Sequence, residues 1–375
     1  MPNFNKIDPE FLFNVKIQSN SSILCLVLLQ DYNCLNQLSN CTVLQKFPFI
    51  NAVGIKTTHA NLLNLSDFSY IKYLSSVKRA SVYIYKAKIQ LEANVIKPLN
   101  LDGSGITVAV IDTGCNMHLD LVLGNNRIIK FVDFINDKKM PYDDNGHGTF
   151  VCGVLGGKGI CSNTKFSGLA PNCSIIALKA LNSEGETQVF TILNAMQWIV
   201  DNKQKYNIKV VCMSFGSQPL AEHDPLVLGA EVLWDSGIVV VCAAGNDGPN
   251  NTVKSPAISP KVISVGACFF NKEDIKVAQF SSGGNYDGLL KPELLAPGVN
   301  IISLGISKNY VTMSGTSVST PIVCGVVSLM LQKNHLLLPN QIKEILQKSC
   351  VKTIKNNAGY MAGVLNVANA LSFVN

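Results

Sequence analysis

The sequence predicts an α/β protein with a doubly wound parallel sheet, preceded by a small α+β module. From residue 100 onward, β-branched runs typical of buried strands alternate with longer helix-like segments, as in parallel sheets that are covered by helices. The chain has 375 residues, of which 47% are hydrophobic and 15% charged, which is enough for one large domain and a smaller one. We expect residues 1–90 to form the module and residues 91–375 the large domain.

The first 90 residues contain short runs that favour β-strands and one helix-like segment. Strands are predicted at residues 12–17, 23–29 and 81–85, and a helix is predicted over residues 57–73. This arrangement is typical of a small module with an antiparallel sheet.

In the large domain, strand and helix predictions alternate along the chain. The strands are residues 106–111, 175–180, 210–214, 238–243 and 262–267, and the helices are 189–202, 225–236, 317–333 and 340–349. The last helix begins beside Pro339, a favourable start signal. In such sheets, functional side chains gather at the carboxyl ends of strands. Asp112 and Asn246 fall at two such ends.

Three short segments supply an aspartate, a histidine and a serine, in that order. Asp112 ends the first strand of the large domain, His147 lies in a glycine-flanked turn before a helix-like stretch, and Ser317 opens an apolar run. A serine hydroxyl is a poor nucleophile unless a base lies within hydrogen-bond reach and a carboxylate fixes the tautomer of that base. Each segment alone would be read as a turn, but the ordered set favours nucleophilic catalysis.

A fourth segment, residues 239–246, is a hydrophobic strand that runs into small residues and then Asn246. With this segment in place, residues 95–370 resemble the subtilisin family of serine proteases, which has the same chain order of aspartate, histidine and serine. Residues 141–149 and 291–303 are most similar to the bacterial intracellular alkaline proteases of that family.

The resemblance implies a subtilisin-like fold and a serine endopeptidase that acts on proteins or peptides through an acyl-enzyme. It makes Asp112, His147 and Ser317 the catalytic triad. It also implies that the Asn246 amide and the Ser317 backbone N–H stabilise the oxyanion of the tetrahedral intermediate. Two alternatives stay open: a non-catalytic scaffold that binds a protein partner, and a processing protease that is specialised for one protein.

Two segments are implied to contact the substrate: Ser214, Phe215 and Gly216, and Ala243, Ala244 and Gly245. The first would pair with the substrate backbone as an added strand. The second would line the primary specificity pocket, since small residues leave room for a large substrate side chain. For Phe215, plain core packing is the alternative to a role as a pocket wall.

Subtilisin-like proteases commonly carry a prodomain of the size and kind of residues 1–90. Such a prodomain assists folding and blocks the active site through its C-terminal tail, which would make this protein a zymogen and its own N-terminal region the inhibitor. Any processing junction is expected between Lys86 and Ala93. The alternative is a permanent accessory domain.

No cofactor is predicted, because no Walker or dinucleotide fingerprint is present and residues 156–159 lack the required spacing. Asp143 and Asp144 are expected to tune the loop before His147, with calcium binding as the alternative. The loop at residues 158–166 lacks the Asn-rich calcium-binding insertion of secreted subtilisins, so no metal ligand is assigned. His118, in the loop after the catalytic aspartate, is expected at the surface.

Charge and cysteine usage bear on partners and compartment. The net charge of +6 comes without a basic stripe or nucleic-acid motif, so no nucleic-acid role is predicted. No apolar run reaches the 18 residues of a membrane span, and no secretory signal is predicted at the N-terminus. The twelve cysteines lack metal-type spacing and several lie beside the catalytic motifs, which favours free thiols in the cytoplasm.

Overall fold

The structure is a computed structural model, and it describes most of the chain. The described stretches are residues 2–9, 11–12, 22–77, 79–82, 100–220, 222–271, 274–286, 288–307, 309–355 and 361–374. Within these stretches, no helix is both long and apolar enough to span a lipid bilayer.

The N-terminal module is a four-stranded antiparallel sheet in the order β2-β3-β1-β4, with one helix. Its elements are β1 (Ser22–Leu29), β2 (Thr42–Phe47), β3 (Ala52–Thr58), α1 (His59–Leu65) and β4 (Ile71–Ser76). Side chains alternate across the sheet. Val27 and Ile55 pack with Leu62 of α1 in a separate apolar cluster, while the opposite face joins the core of the large domain.

The module agrees only in part with the sequence-based expectations. The strand at residues 23–29 is confirmed as β1. The helix expected over residues 57–73 is wrong at both ends, because Thr57 belongs to β3 and Tyr73 to β4. Leu12, the first residue of another expected strand, instead lies in a helical turn, where its N–H donates to Asp8 O (2.8 Å); residues 13–17 lie outside the described residues.

The large domain contains most of the secondary structure. Its strands are β6 (Thr107–Asp112), β7 (Ile128–Asp133), β8 (Ser174–Lys179), β9 (Glu186–Gln188), β10 (Ile208–Met213), β11 (Phe215–Ser217), β12 (Val239–Ala243), β13 (Ile263–Asn271), β14 (Asp274–Val277), β15 (Gly284–Tyr286), β16 (Leu289–Lys291), β17 (Leu294–Pro297), β18 (Ile301–Leu304), β19 (Tyr310–Met313), β20 (Val351–Lys355) and β21 (Met361–Val364). Its helices are α2 (Leu119–Val122), α3 (His147–Gly156), α4 (Val189–Tyr206), α5 (Pro225–Asp235), α6 (Thr316–Lys333), α7 (Pro339–Ser349) and α8 (Val367–Ser372).

A ten-stranded sheet forms the centre of the large domain. Its order is β20-β21-β17-β13-β12-β10-β6-β8-β7, with β14 paired to β13. The strands from β21 to β7 are parallel to their neighbours, and only β14 and β20 pair antiparallel. The predicted α/β fold with a doubly wound parallel sheet is confirmed. All five predicted strands of this domain and its four predicted helices are present, with ends shifted by a few residues.

A short strand after the module pairs with the large domain. This strand, β5 (Arg79–Val82), lies between β11 and β9 and is antiparallel to both. Ser81 stands opposite Gly216 on one side and Glu186 on the other. The predicted strand at residues 81–85 therefore begins earlier, and residues 83–85 lie outside the described residues.

The sheet of the module also packs on the helices of the large domain. The rings of Phe47 and Phe190 are 5.8 Å apart, and the Phe49 N–H donates to Gln197 Oε1 (3.3 Å). A Cβ on Gly54 would stand 2.8 Å from the Phe190 ring. The absence of a side chain at residue 54 thus lets β3 approach α4 closely.

Candidate active site

Two interior strands of the central sheet and two buried helices carry the four predicted catalytic residues. Asp112 is the last residue of β6, His147 is the first of α3, and Ser317 is the second of α6. Asn246 follows the end of β12 by three residues. Helices α3 and α6 pack against each other, so the histidine and the serine lie on neighbouring helices.

Asp112 and His147 form a direct, buried pair. The distance between His147 Nδ1 and Asp112 Oδ1 is 2.7 Å, and both side chains are 1% exposed. The same oxygen accepts from the Thr113 N–H (2.7 Å). His147 Nε2 is buried and has no hydrogen-bond partner among the described residues. Because an ionised carboxylate only accepts, Nδ1 donates its proton to Asp112, and the neutral form of the ring has its lone pair at Nε2.

Asp143 organises the turn that carries His147. Its Oδ1 accepts from the Gly146 N–H (2.9 Å) and from Thr113 Oγ1 (2.9 Å). Its Oδ2 accepts from the N–H (2.8 Å) and Oγ1 (2.7 Å) of Thr149. Donors at the first turn of α3 are thereby satisfied by a buried carboxylate. The expectation that Asp143 tunes this loop agrees with these contacts.

Two glycines allow the start of α3 to approach the loop after Asp112. A Cβ on Gly148 would stand 2.1 Å from Gly114 O, and a Cβ on Gly114 would stand 2.2 Å from Tyr142 O. Gly114 also has φ of +121°, a conformation that favours glycine. These contacts set the separation between the aspartate and the histidine.

Lys179, which the sequence analysis did not single out, supports the same loop. It is the last residue of β8 and stands opposite Asp112 in the sheet. Its buried ammonium donates to Thr113 O (2.5 Å), Leu181 O (3.0 Å) and Asp144 Oδ1 (2.6 Å). In the sequence, the only indication of a role for Lys179 was its position at the end of a predicted strand. A single lysine in a strand does not reveal which groups its ammonium contacts.

Asn246 is oriented by the residue before Ser317. Its Oδ1 accepts from the Thr316 N–H (3.0 Å) and from Thr316 Oγ1 (3.1 Å). Since a backbone N–H can only donate, this bond assigns the amide oxygen to Thr316. The Nδ2 group is buried without a partner among the described residues. It is therefore an available donor beside the start of α6.

The two predicted substrate segments follow β10 and β12, which are neighbouring strands of the central sheet. Ser214 connects β10 to β11, which contains Phe215 and Gly216, while Ala243 ends β12 and is followed by Ala244 and Gly245. Phe215 is fully buried in the main apolar cluster, so its side chain is a core residue rather than a pocket wall. Gly216 instead pairs with β5.

The cysteines beside the site are buried thiols. Burial raises the pKa of Cys242 above its ordinary range. A hydrogen bond with Cys115, together with burial, raises the pKa of Cys152. A thiol that stays protonated is a weak nucleophile. These groups are therefore unsuited to compete with a serine for nucleophilic attack.

The expectation that His118 lies at the surface is wrong, since this residue is only 1% exposed. Its Nδ1 accepts from the Asp120 N–H (3.1 Å), so the imidazole caps the start of α2. With Asp120 and Cys161, it forms a group of metal-type spacing. The Asp120 carboxylate, however, accepts from the Cys161 N–H (2.9 Å) and from the Tyr310 hydroxyl Oη (2.5 Å), so it joins the loop at residues 158–166 to β19.

Calcium fits the aspartates before His147 poorly. Calcium requires six to eight oxygen ligands. Both oxygens of Asp143 already accept from protein donors, and Asp144 Oδ1 is paired with the buried Lys179.

Comparison with known proteins places most of the chain in one family. A sequence model described as the subtilase family matches residues 103–364. The chain is 38% identical over 358 residues to the serine protease AprX of Bacillus subtilis (strain 168), covering 87% of this chain and 80% of that protein. It is 32% identical over 284 residues to subtilisin DY of Bacillus licheniformis, covering 75% of this chain and 96% of that protein.

Solved structures give the same fold. Fervidolysin from Fervidobacterium pennivorans, described as a keratinolytic enzyme related to subtilisin, superposes with a TM-score of 0.75 at 21% identity, covering 94% of this chain and 61% of that chain. A cold-adapted subtilisin-like serine proteinase superposes with a TM-score of 0.59 at 29% identity, covering 71% of this chain and 90% of that chain.

Proposed function

The chain belongs to the subtilase family and is a subtilisin-like serine endopeptidase, and on this premise we propose that Ser317, His147 and Asp112 carry out its chemistry. His147 Nε2 takes the proton of Ser317 Oγ as the oxygen attacks the peptide carbonyl, and Asp112 stabilises the imidazolium. The imidazolium then protonates the leaving amine. Water, deprotonated by His147, hydrolyses the acyl-enzyme.

One observation carries this assignment. The 2.7 Å bond between His147 Nδ1 and Asp112 Oδ1 leaves Nε2, which is buried and has no hydrogen-bond partner in the part of the chain that the structure describes, to act as the base. The base is thus in the required tautomer before substrate arrives. Asn246 Nδ2 and the Ser317 N–H at the start of α6 supply donors for the oxyanion.

A fluorophosphonate label tests the nucleophile. We expect mass spectrometry to place the label on Ser317, and Ser317→Ala to abolish both labelling and peptidase activity. Ser319→Ala is the matched control, because this serine lies in the same helix and its Oγ donates to Ala296 O (3.0 Å). Activity that survives Ser317→Ala would refute the assignment, and an unlabelled wild-type protein without activity would favour a non-catalytic scaffold.

The N-terminal region is proposed as the inhibitor of this site, which makes the protein a zymogen. The support is the position of β5, which lies between β11 and β9 and pairs with both. A peptide substrate bound by strand addition would need the same backbone groups of Gly216 and Glu186. While β5 occupies this place, a substrate strand is excluded. The expected junction between Lys86 and Ala93 lies outside the described residues.

We also propose that the protein works in the cytoplasm and without a bound calcium ion. All twelve cysteines are free thiols, eight of them buried, as in proteins of reducing compartments. Recovery of the protein from the medium or the cell envelope during fractionation of its source cells would refute the first statement. Loss of activity in a calcium chelator, restored by calcium, would refute the second.

A further inference from the structure

The side chain of Lys254 lies between the two segments proposed to contact the substrate. A Cβ on Gly216 would stand 2.6 Å from Lys254 Cβ, and a Cβ on Gly245 would stand 2.8 Å from Lys254 Cγ. The methylene chain of Lys254 therefore fills the space that side chains at these two glycines would take. Its backbone N–H donates to Ala244 O (2.9 Å), which holds the residue against the second segment.

The neighbouring residue holds Lys254 against the first segment. Ser255 and Ser217 exchange two backbone hydrogen bonds, of 2.9 and 3.0 Å. Ser255 Oγ also donates to the buried carboxylate of Asp224 (2.6 Å). The backbone of Lys254 and Ser255 is thus held on both sides, which places the first carbons of the lysine side chain between Gly216 and Gly245.

The charges in this space are unequally exposed. Lys254 Nζ is paired with Asp247 Oδ2, but the lysine side chain is 5% exposed whereas that of Asp247 is 45% exposed. A buried ammonium is costly unless it keeps a hydrogen-bonded partner of opposite charge. The half-exposed carboxylate of Asp247, in contrast, keeps access to water, so it can leave when another anion takes its place beside the ammonium. The ammonium of Lys254 is therefore the fixed charge in this space, and its partner can be exchanged.

We propose that Lys254 forms the floor of the primary specificity pocket and selects an acidic side chain at the residue that precedes the cleaved bond. This inference rests on the proposed roles of residues 214–216 and 243–245. A substrate carboxylate can take the place of Asp247 beside the ammonium. A large aromatic side chain of a substrate would clash with the lysine methylenes, which already fill this space. It would also bury the ammonium without accepting a hydrogen bond from it.

Four chromogenic peptides that differ only in the residue before the cleaved bond test the proposal. With Glu, Gln, Phe or Lys at that position, we expect kcat/KM to be highest for Glu, by at least about tenfold over Phe and Lys, as for loss of one hydrogen bond to a charged group. The highest value for Phe would overturn the proposal. The highest value for Lys would overturn it too, since Asp247 would then govern the pocket.

Two variants of Lys254 separate the effect of its charge from the effect of its volume. Lys254→Met keeps the length of the side chain, so we expect the preference for Glu over Gln to disappear while Phe stays a poor substrate. Lys254→Ala removes the methylenes, and we expect kcat/KM for Phe to rise about tenfold or more, on the scale of several methylene groups admitted to a pocket. An unchanged profile in Lys254→Met would overturn the proposal even if Lys254→Ala does not fold.

A control variant and a measurement of the concentration of active enzyme distinguish a failure of this proposal from a failure of the catalytic assignment. Lys261→Met removes a lysine that is likewise paired with an aspartate, Asp235 (2.7 Å), on the exposed surface, and should leave the profile unchanged. The concentration of active enzyme is taken from the fluorophosphonate label on Ser317. A labelled enzyme that prefers Phe contradicts the pocket proposal alone, whereas a protein labelled elsewhere contradicts the catalytic assignment.

Discussion

At the scale of single residues, the orientation of one amide decides what the site offers to a substrate. The carboxamide of Asn246 could present either its oxygen or its NH2 group, and only the NH2 group can stabilise an anion. The backbone N–H of Thr316 can only donate, and it donates to Asn246 Oδ1 (3.0 Å). The NH2 group therefore points away from Thr316 and stays available, buried and unpartnered among the described residues.

Replacement of Asn246 by Ala is expected to lower kcat by about 10²–10³, a magnitude measured on a subtilisin itself, with little change in KM. The reason is that the donor acts on charge that develops only in the transition state. Steady-state kinetics on one peptide, with active enzyme counted by the label on Ser317, measure the effect. A near-normal kcat would place the oxyanion donor elsewhere.

At the scale of secondary-structure elements, one buried carboxylate accepts hydrogen bonds from several donors at the start of α3. Asp143 is 6% exposed, and its two oxygens accept from the backbone of Gly146 and Thr149 and from the Thr113 hydroxyl. The helix start and the loop after Asp112 are thus held to each other through a residue that is neither the acid nor the base. Asp143 is a positioning residue.

The Asp143→Asn variant tests this positioning role. An asparagine side chain has one acceptor oxygen where aspartate has two. Its NH2 group would therefore face N–H or O–H donors that bind the second carboxylate oxygen in the wild-type protein. We expect the free energy of unfolding to fall by about 1.5–3 kcal/mol, the range for hydrogen bonds to a charged group, and kcat to fall while KM changes little. Denaturant unfolding and steady-state kinetics measure the two effects.

Asp137→Asn is the matched control for this variant, since Asp137 is exposed and paired with Lys139. Its substitution should change neither stability nor kcat, because exposed pairs contribute little. If Asp143→Asn matches this control in kcat but still loses stability, Asp143 supports the fold without positioning His147.

At the scale of the whole molecule, the N-terminal module meets the large domain in two ways. One face of its sheet packs on α4 through Phe47 and Phe190, and β5 enters a three-stranded sheet with β11 and β9. The apolar contact stabilises the association of the module with the large domain but is not directional. The strand pairing determines which part of the chain lies beside the proposed substrate segments.

Processing of the full chain tests the proposed inhibitor. If the protease cuts its own N-terminal region, the wild-type protein should yield two fragments during expression, whereas Ser317→Ala should stay one uncleaved chain. Gel electrophoresis with N-terminal sequencing of the products measures the outcome. An intact wild-type chain with full activity would make residues 1–90 an accessory domain.

The sequence by itself determined the fold class and the family. Buried parallel strands consist of continuous β-branched runs, so residues 106–111 and 238–243 could be recognised without their neighbours. Asp112, His147, Ser317 and Asn246 could be assigned roles because each lies in a distinctive local segment and the four follow a family order. Weaker local signals failed, as at residues 57–73, where α1 ends at Leu65 and the chain turns into β4.

Only the tertiary structure decided how distant residues meet. The burial of His118, the core position of Phe215 and the contacts of Asp143 depend on segments far away in the chain. Lys254 gave no local signal, because a lysine in a loop is ordinarily solvated. Its side chain is buried because β11 and the segment after β12 enclose it, and the proposed role in the specificity pocket depends on that burial. Local patterns report backbone preference and the face that is buried, whereas the partner of a buried charge is set by packing between elements.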